Sequence, residues 1–504
     1  MNTSMLDQCV SRLLKIVNRS VLTDCNLGKM FNMYSLFNHI TRLAPVGLVL
    51  LSVLLATQVA AESTLDNDSV ILPKGWRSGY AVEPVFNSRV YWVEAGRSHS
   101  ETVVLIHGLG QNGWRDWQEL MPALAEHYRV VAFDLPGFGR SDTPAGKYSP
   151  SNYAAAIQAI LQQAGIDRFH LMGHSMGGAV ALRLATRYPN SVKRLVLMSA
   201  AGILERSTFA GHAAALPLEA GMLSYFDALP KSLQSGISGV VRDIGGDLLR
   251  WDALPDPAAL LNKSDVVWAA TLRGQPNINA ALALVEEDYS GDLTALDVST
   301  LILWGEEDPV TPLRTGYLLQ GQIPNARLVL YPGVGHMPLW HPSKVLPDIK
   351  QFLTDKTKVT NNTEELGQNQ GDYRCEGKND VQLRGQFGAI EIINCQNVRL
   401  LDVNADSLKL IDSSAVGRGL KLSADEWALS VDRSELTLTN AWLEGKVALQ
   451  ANASQLDLAG VHLTGDEAIR VSRQSEFVFS VSQLQTPGYR QDLHGVFTLG
   501  EPAQ

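Results

Sequence analysis

The segment Gly173-His174-Ser175-Met176-Gly177-Gly178 joins a short, mostly apolar run, Phe169 to Met172, to an amphipathic stretch that begins at Ala179. Strand, sharp turn, helix is what this order spells. Glycines on both sides of Ser175 leave room for a turn too tight for side chains, with the serine at strained dihedrals and its hydroxyl exposed. A Gly-x-Ser-x-Gly also occurs in ordinary glycine-rich turns, so the flanking strand and helix carry the weight. Four further runs, Val103 to Ile106, Val130 to Phe133, Leu195 to Met198 and Leu301 to Trp304, are apolar throughout, as parallel strands buried on both faces are. Amphipathic stretches at Asn152 to Ala164 and Ala179 to Tyr188 lie between them. After an exposed lead-in over Ser63 to Gly79, residues 80–353 are therefore expected to form an α/β domain with a doubly wound, mostly parallel sheet.

A serine hydroxyl is a poor nucleophile at neutral pH and needs a base within reach and a group that fixes the tautomer of that base. Downstream, Leu301-Ile-Leu-Trp-Gly305-Glu-Glu-Asp308-Pro-Val-Thr-Pro312 runs from a strand into a loop, and Leu328-Val-Leu-Tyr-Pro-Gly333-Val-Gly335-His336 brackets a histidine with glycines. Upstream, His107-Gly108-Leu109-Gly110 follows the run ending at Ile106. With the Ser175 turn, these segments resemble the α/β-hydrolase family in content and in the order Ser, Asp, His. The resemblance implies Ser175 as nucleophile, His336 as base and Asp308 as the acid that orients it. It also implies backbone N–H groups of Leu109 and Met176 as the oxyanion hole. Glu306 and Glu307 then read as solvated loop charge, His107 as a brace, and His174 as a neighbour of the nucleophile. The loop Asp134-Leu-Pro-Gly-Phe-Gly-Arg-Ser-Asp142 matches another family loop, with a structural role.

A serine at position 175 excludes the carboxylate-nucleophile chemistry of the family's dehalogenases and epoxide hydrolases. Hydrolysis of a small-molecule carboxylic ester through an acyl-enzyme is the leading expectation. His107 to Ala201 also resembles hydrolases that cleave carbon–carbon bonds in ring-fission products, and that reading stays open. From about 204 to 293 no strong strand is written, while Phe209, Tyr225, Phe226, Trp251 and Trp268 are spread among helix-like segments. A helical cap is expected there, with ordinary packing helices as the alternative. There is no metal-ligand cluster, phosphate loop or nucleotide motif, so neither cofactor nor metal is expected. The formal net charge of -10 leaves no basic surplus for neutralising phosphates, which argues against nucleic acid as a partner.

Residues 1–61 read as a leader. From Met33, a weakly basic head with His39 and Arg42 precedes an apolar run from Leu43 to Val59, closed by Ala60 and Ala61. This is the layout of a secretory signal peptide, with an uncleaved inner-membrane anchor facing the periplasm as the alternative. Either way the chain is expected to be exported, to the periplasm.

Residues 354–371 are polar and lack an apolar period, as a linker does. Beyond them, over 372–484, short alternating segments recur at Val381, Val398, Leu436, Leu456 and Phe477, clustering near a spacing of about 20 residues. A right-handed parallel β-helix of about six rungs is the expected solution, a small β-sandwich the alternative. Cys375 and Cys395 are one such repeat apart, which stacks them on adjacent rungs about 4.8 Å apart and predicts a disulfide. The solenoid could hold an envelope polymer or protein along its length, making the chain a binding protein, or serve as a spacer.

Overall fold

The computed structural model describes residues 71–208, 264–355 and 368–502. The first domain is built on an eight-stranded sheet: β1 (Arg77–Glu83), β2 (Ser88–Ala95), β3 (Thr102–Ile106), β4 (Arg129–Phe133), β5 (Phe169–His174), β6 (Val192–Met198), β7 (Thr300–Gly305) and β8 (Ala326–Tyr331). Their spatial order is β1-β2-β4-β3-β5-β6-β7-β8. From β4 onward every pairing is parallel, while β1 and β2 join antiparallel at one edge. All five apolar runs are strands of the parallel part, and β3, β5 and β7 are buried along their whole length.

The edge hairpin begins at Arg77, ahead of the expected start at residue 80. It escaped the sequence reading because β1 alternates: Tyr80 and Val82 are exposed, and the strand lacks the continuous apolar run of a central one. Its turn is closed by the buried Glu83 carboxylate, which accepts from the backbone N–H of Val85, Phe86 and Ser88 and from the Ser88 hydroxyl.

Helices cover the sheet: α1 (Met121–Ala125), α2 (Pro150–Gln163), α3 (Met176–Arg187), α4 (Asp265–Thr271), α5 (Pro276–Leu284), α6 (Asp292–Ala295), α7 (Leu313–Gln322) and α8 (Pro342–Thr354). Proline at the start of α2 and a Ser149 hydroxyl that accepts the Asn152 N–H, 3.2 Å away, fix where that helix begins. Of the expected cap, residues 209–263, with Phe209, Tyr225, Phe226 and Trp251, lie outside the described residues. Trp268 on α4 is fully buried and its indole N–H donates to Asn279 Oδ1 at 2.7 Å, which makes it a packing residue. Among the described residues no helix is long and apolar enough to cross a membrane, and the leader with its Leu43 to Val59 run lies outside them.

The second domain is a parallel β-helix-like solenoid. Two sheets run in rung order, β10-β12-β14-β16-β18-β20-β21 and β19-β17-β15-β13-β11-β9. Six rungs each take one strand from either sheet, from β9 (Tyr373–Glu376) with β10 (Gln382–Gln386) to β19 (Glu467–Val471) with β20 (Ser475–Thr486). Between them lie β11 (Ala389–Ile393), β12 (Val398–Ala405), β13 (Ser407–Ile411), β14 (Ser414–Ser423), β15 (Trp427–Asp432), β16 (Glu435–Glu444), β17 (Val447–Asn452) and β18 (Gln455–Thr464). The neighbour-to-neighbour pairing is parallel throughout the rungs, which removes the sandwich alternative. A final strand, β21 (Tyr489–Leu499), folds back antiparallel on β20 and carries the domain past its expected end at 484.

The stacked positions Leu383, Leu400, Gly417, Leu438, Leu458 and Phe479 explain the uneven spacing: the first two rungs repeat after 17 residues and the later ones after 21, 20 and 21. Inside one corner a ladder of buried hydroxyls runs along the axis. The N–H of Cys395 donates to Ser413 Oγ, that of Ser413 to Ser434, of Ser434 to Ser454 and of Ser454 to Ser475, at 3.0, 3.0, 3.2 and 3.1 Å. Midway along the larger sheet, Asp402, Gly419, Asn440, Gly460 and Val481 all take positive φ, so each strand bends at the same level into two faces.

Cys375 and Cys395 are bonded, with Cα atoms 6.6 Å apart. The expected stacking is corrected, however. Because the first rungs are short, Cys375 pairs in register with Ile392, and Cys395 sits three residues further on, at the head of the serine ladder.

Candidate active site

Ser175 follows β5 directly and precedes the first residue of α3, with φ 53° and ψ -121°. Only flanking residues without side chains allow this. A methyl on Gly173 would strike the Gly177 carbonyl, and one on Gly177 would strike the carbonyls of Ile106 and His107. The second clash shows that the His107–Gly110 loop lies directly against the turn; a methyl on Gly108 would lie 2.9 Å from Ser175 Cβ. Met176 is the first residue of α3, where backbone N–H groups have no helical acceptor. Leu109 is half-buried on the facing loop.

His336 and Asp308 are brought together from the loops after β8 and β7. His336 Nδ1 lies 3.0 and 3.1 Å from the two Asp308 oxygens. The Asp308 carboxylate is enclosed: Oδ1 accepts from the N–H of Val310 and Thr311, both at 2.9 Å, and Oδ2 from the Thr311 hydroxyl at 2.7 Å. Burial works against its charge, but His336 and Thr311 outweigh this and hold the carboxyl below its ordinary range. An ionised Asp308 puts the His336 proton on Nδ1 and leaves the Nε2 lone pair free. On the other side, His174 Nε2 donates to the His336 carbonyl at 2.8 Å, and the two rings lie 4.9 Å apart.

The two other histidines are uncharged supports. Burial pushes His107 down to about 4, and its Nε2 accepts the Leu135 N–H at 3.0 Å, so its proton sits on Nδ1, facing the Gly108 carbonyl. Burial, with His336 nearby, pushes His174 down to about 3. Asp134 is held up to about 6 by burial while it accepts the N–H groups of Trp114 and Arg140, a packing role for that loop.

Three contacts were not visible in the sequence. Asp116, buried on the turn after the His107–Gly110 loop, is pushed up to about 6 by burial, against the opposing pull of the Asn112 amide, the Gly108 N–H and His336. Asn277, on α5, accepts the Gly110 N–H at 3.0 Å. Thr311 braces the acid. Asn277 is set by long-range approach, whereas Thr311, three residues after Asp308, carried a local signal. Among the described residues no three His, Cys, Asp or Glu side chains gather as a metal-ion ligand set.

A glycine-flanked serine turn after β5, an aspartate after β7 and a histidine after β8 on this sheet are the arrangement of the α/β-hydrolase fold, and the chain belongs to that family: the family model described as alpha/beta hydrolase fold matches residues 101–342. A 2-hydroxy-6-oxo-2,4-heptadienoate hydrolase of Pseudomonas putida is 33% identical over 46% of this chain and 82% of its own length. An uncharacterised protein of Mycobacterium tuberculosis is 29% identical over 50% of this chain and 74% of its own. Among solved structures, a thermophilic esterase from Thermogutta terrifontis aligns with 55% of this chain and 98% of its own, at 21% identity and a TM-score of 0.41.

Proposed function

We propose that the protein is a serine hydrolase that cleaves carboxylic esters through an acyl-enzyme. The observation that carries this reading is the Asp308–His336 pair set beside Ser175, whose strained backbone presents its hydroxyl at the end of β5. In the proposed reaction Ser175 Oγ attacks the ester carbonyl carbon while His336 Nε2 takes the hydroxyl proton. The carbonyl oxygen gains the charge and is received by the N–H groups of Leu109 and Met176. Collapse expels the alcohol, which takes the proton from His336. Water, activated by the same histidine, then hydrolyses the acyl-enzyme and frees Ser175. Asp308 keeps its charge throughout and stabilises the imidazolium.

Cleavage of a carbon–carbon bond is the second reading. It is favoured by the Pseudomonas putida relative, whose name is that of a hydroxy-oxo-dienoate hydrolase. The leader pattern up to Ala61 supports export, to be checked by the mass of the mature chain from an exporting host.

The deciding experiment compares wild type with Ser175→Ala on p-nitrophenyl esters of two to sixteen carbons, on a 2-hydroxy-6-oxo-dienoate, and with a fluorophosphonate probe. Ester turnover and labelling that both disappear in Ser175→Ala are expected. Turnover of the dienoate alone selects the second reading, and an inert, unlabelled wild type overturns both.

A further inference from the structure

The solenoid does not hang from the hydrolase as a separate bead. Ala459 of β18 and Val481 of β20 are buried in the same apolar cluster as the hydrolase core. The bent corners of two rungs are fitted to α7: Asn440 donates to the Tyr317 carbonyl at 2.6 Å, and Gln322 donates to Asn440 Oδ1 and to the Gly460 carbonyl at 3.1 and 3.2 Å. A side chain at Gly460 would collide with Leu318.

We propose that the β-helix is a built-in brace of the active site, with Asp457 as the positioning residue that ties the helix after the acid loop to the start of the β6–β7 insertion. The proposal rests on the serine-hydrolase reading. Arg314, six residues after Asp308, spends its whole guanidinium on the solenoid: Nη1 to Asp457 Oδ2 at 2.6 Å, Nε to Thr439 Oγ1 at 2.8 Å, and Nη2 to the carbonyls of Leu438 and Asp457 at 2.8 and 3.2 Å. A planar fork gripped from two adjacent strands is fixed in direction as well as neutralised. The same Asp457 Oδ2 accepts the Thr208 hydroxyl at 3.2 Å, and the Glu205 N–H donates to Ser480 Oγ at 2.8 Å. That segment starts at the nucleophile, where the Ala201 N–H donates to the Ser175 carbonyl at 3.1 Å. Asp457 thus holds, at one point, chain that leads in six residues to Asp308 and chain that leads in seven residues to Ala201, whose N–H bonds the Ser175 carbonyl. Catalysis depends on the acid, base and nucleophile being placed to a fraction of an ångström.

The test uses the full chain with Asp457→Ala, Asp457→Asn, Arg314→Gln and the double variant, beside Arg433→Gln at an exposed solenoid ion pair as control. Asp457→Ala and Arg314→Gln are expected to lower kcat/KM by about 10- to 100-fold, with non-additive losses, a displaced acidic limb of the pH profile and partial rescue in Asp457→Asn. Amide hydrogen exchange in 313–322 and 201–208 is expected to quicken together. A lowered Tm with wild-type kcat, KM and pH profile in the folded protein would overturn the brace. So would unchanged exchange in the two segments, which judges it even if the wild type hydrolyses no ester and the serine-hydrolase reading falls.

Discussion

At Ser175 the backbone itself is under strain. Its positive φ is tolerated because Gly173 and Gly177 let the turn lie flat on the neighbouring loops. Gly177→Ala must push against the carbonyls of Ile106 and His107, so a loss of about 3 kcal/mol and of fluorophosphonate labelling is expected, measured by urea unfolding and gel fluorescence. Asp308→Asn keeps the shape but lets His336 take the wrong tautomer, and kcat should fall by about 10⁴-fold with KM little changed. Asp116 offers a different test. Its folded-state carboxyl, at about 6, lies above the ordinary 3.8. The native state therefore holds this proton more tightly than the unfolded chain. That stabilisation is complete below about pH 3.8 and is lost as pH rises through about 6. Asp116→Asn, which cannot ionise, should gain stability relative to wild type by about 2–3 kcal/mol between pH 4 and 7, read as a difference in urea midpoints. Wild type and variant that keep a constant difference across that range would refute the assignment. The Ser175, Asp308 and His336 segments stood out in the chain because each carries its own local frame of strand, glycine and loop. Asp116 had none; its raised carboxyl comes from burial, which only the folded chain creates.

Among the elements, the buried strands were easy to place and the edge was not. β3 to β7 each carry a short, mostly apolar run, whereas β1 is half-solvated and reads like loop. The solenoid rungs show the opposite balance: their repeat was visible, but the register was set by where each corner closes. The serine ladder is such a corner. Ser434→Ala leaves the Ser413 N–H buried without its acceptor, and a loss of about 1–3 kcal/mol is expected by thermal melting. Replacing Cys375 and Cys395 together by serine opens a loop of 20 residues and should lower stability by about 3 kcal/mol, an effect that a reductant reproduces in wild type but not in the variant. Equal sensitivity of both proteins to reductant would show that the bond is not what holds the first rungs.

For the molecule as one body, the docking of solenoid on hydrolase is what the chain concealed. A polar stretch at 354–371 reads as a spacer, yet residues on both sides of it belong to packed structure, and Asn369 already bridges to Gln386 in the first rung. Residues 71–355 produced alone should elute as aggregates in size exclusion, because Arg314 loses all its acceptors and the apolar surface that meets Ala459 and Val481 is bared. A monodisperse, active fragment would show that the interface is dispensable. The amino-acid order was sufficient for the α/β sheet, the nucleophile turn, the acid and histidine loops, the rung count and the cysteine pair. Each of these is a pattern within a few neighbouring residues or a period along the chain. The supports of the site, Asp116, Asn277, Arg314 and Asp457, and the seating of one domain on the other come from residues up to hundreds of positions apart. Such contacts depend on the shape of two finished surfaces, and no local spacing encodes that shape.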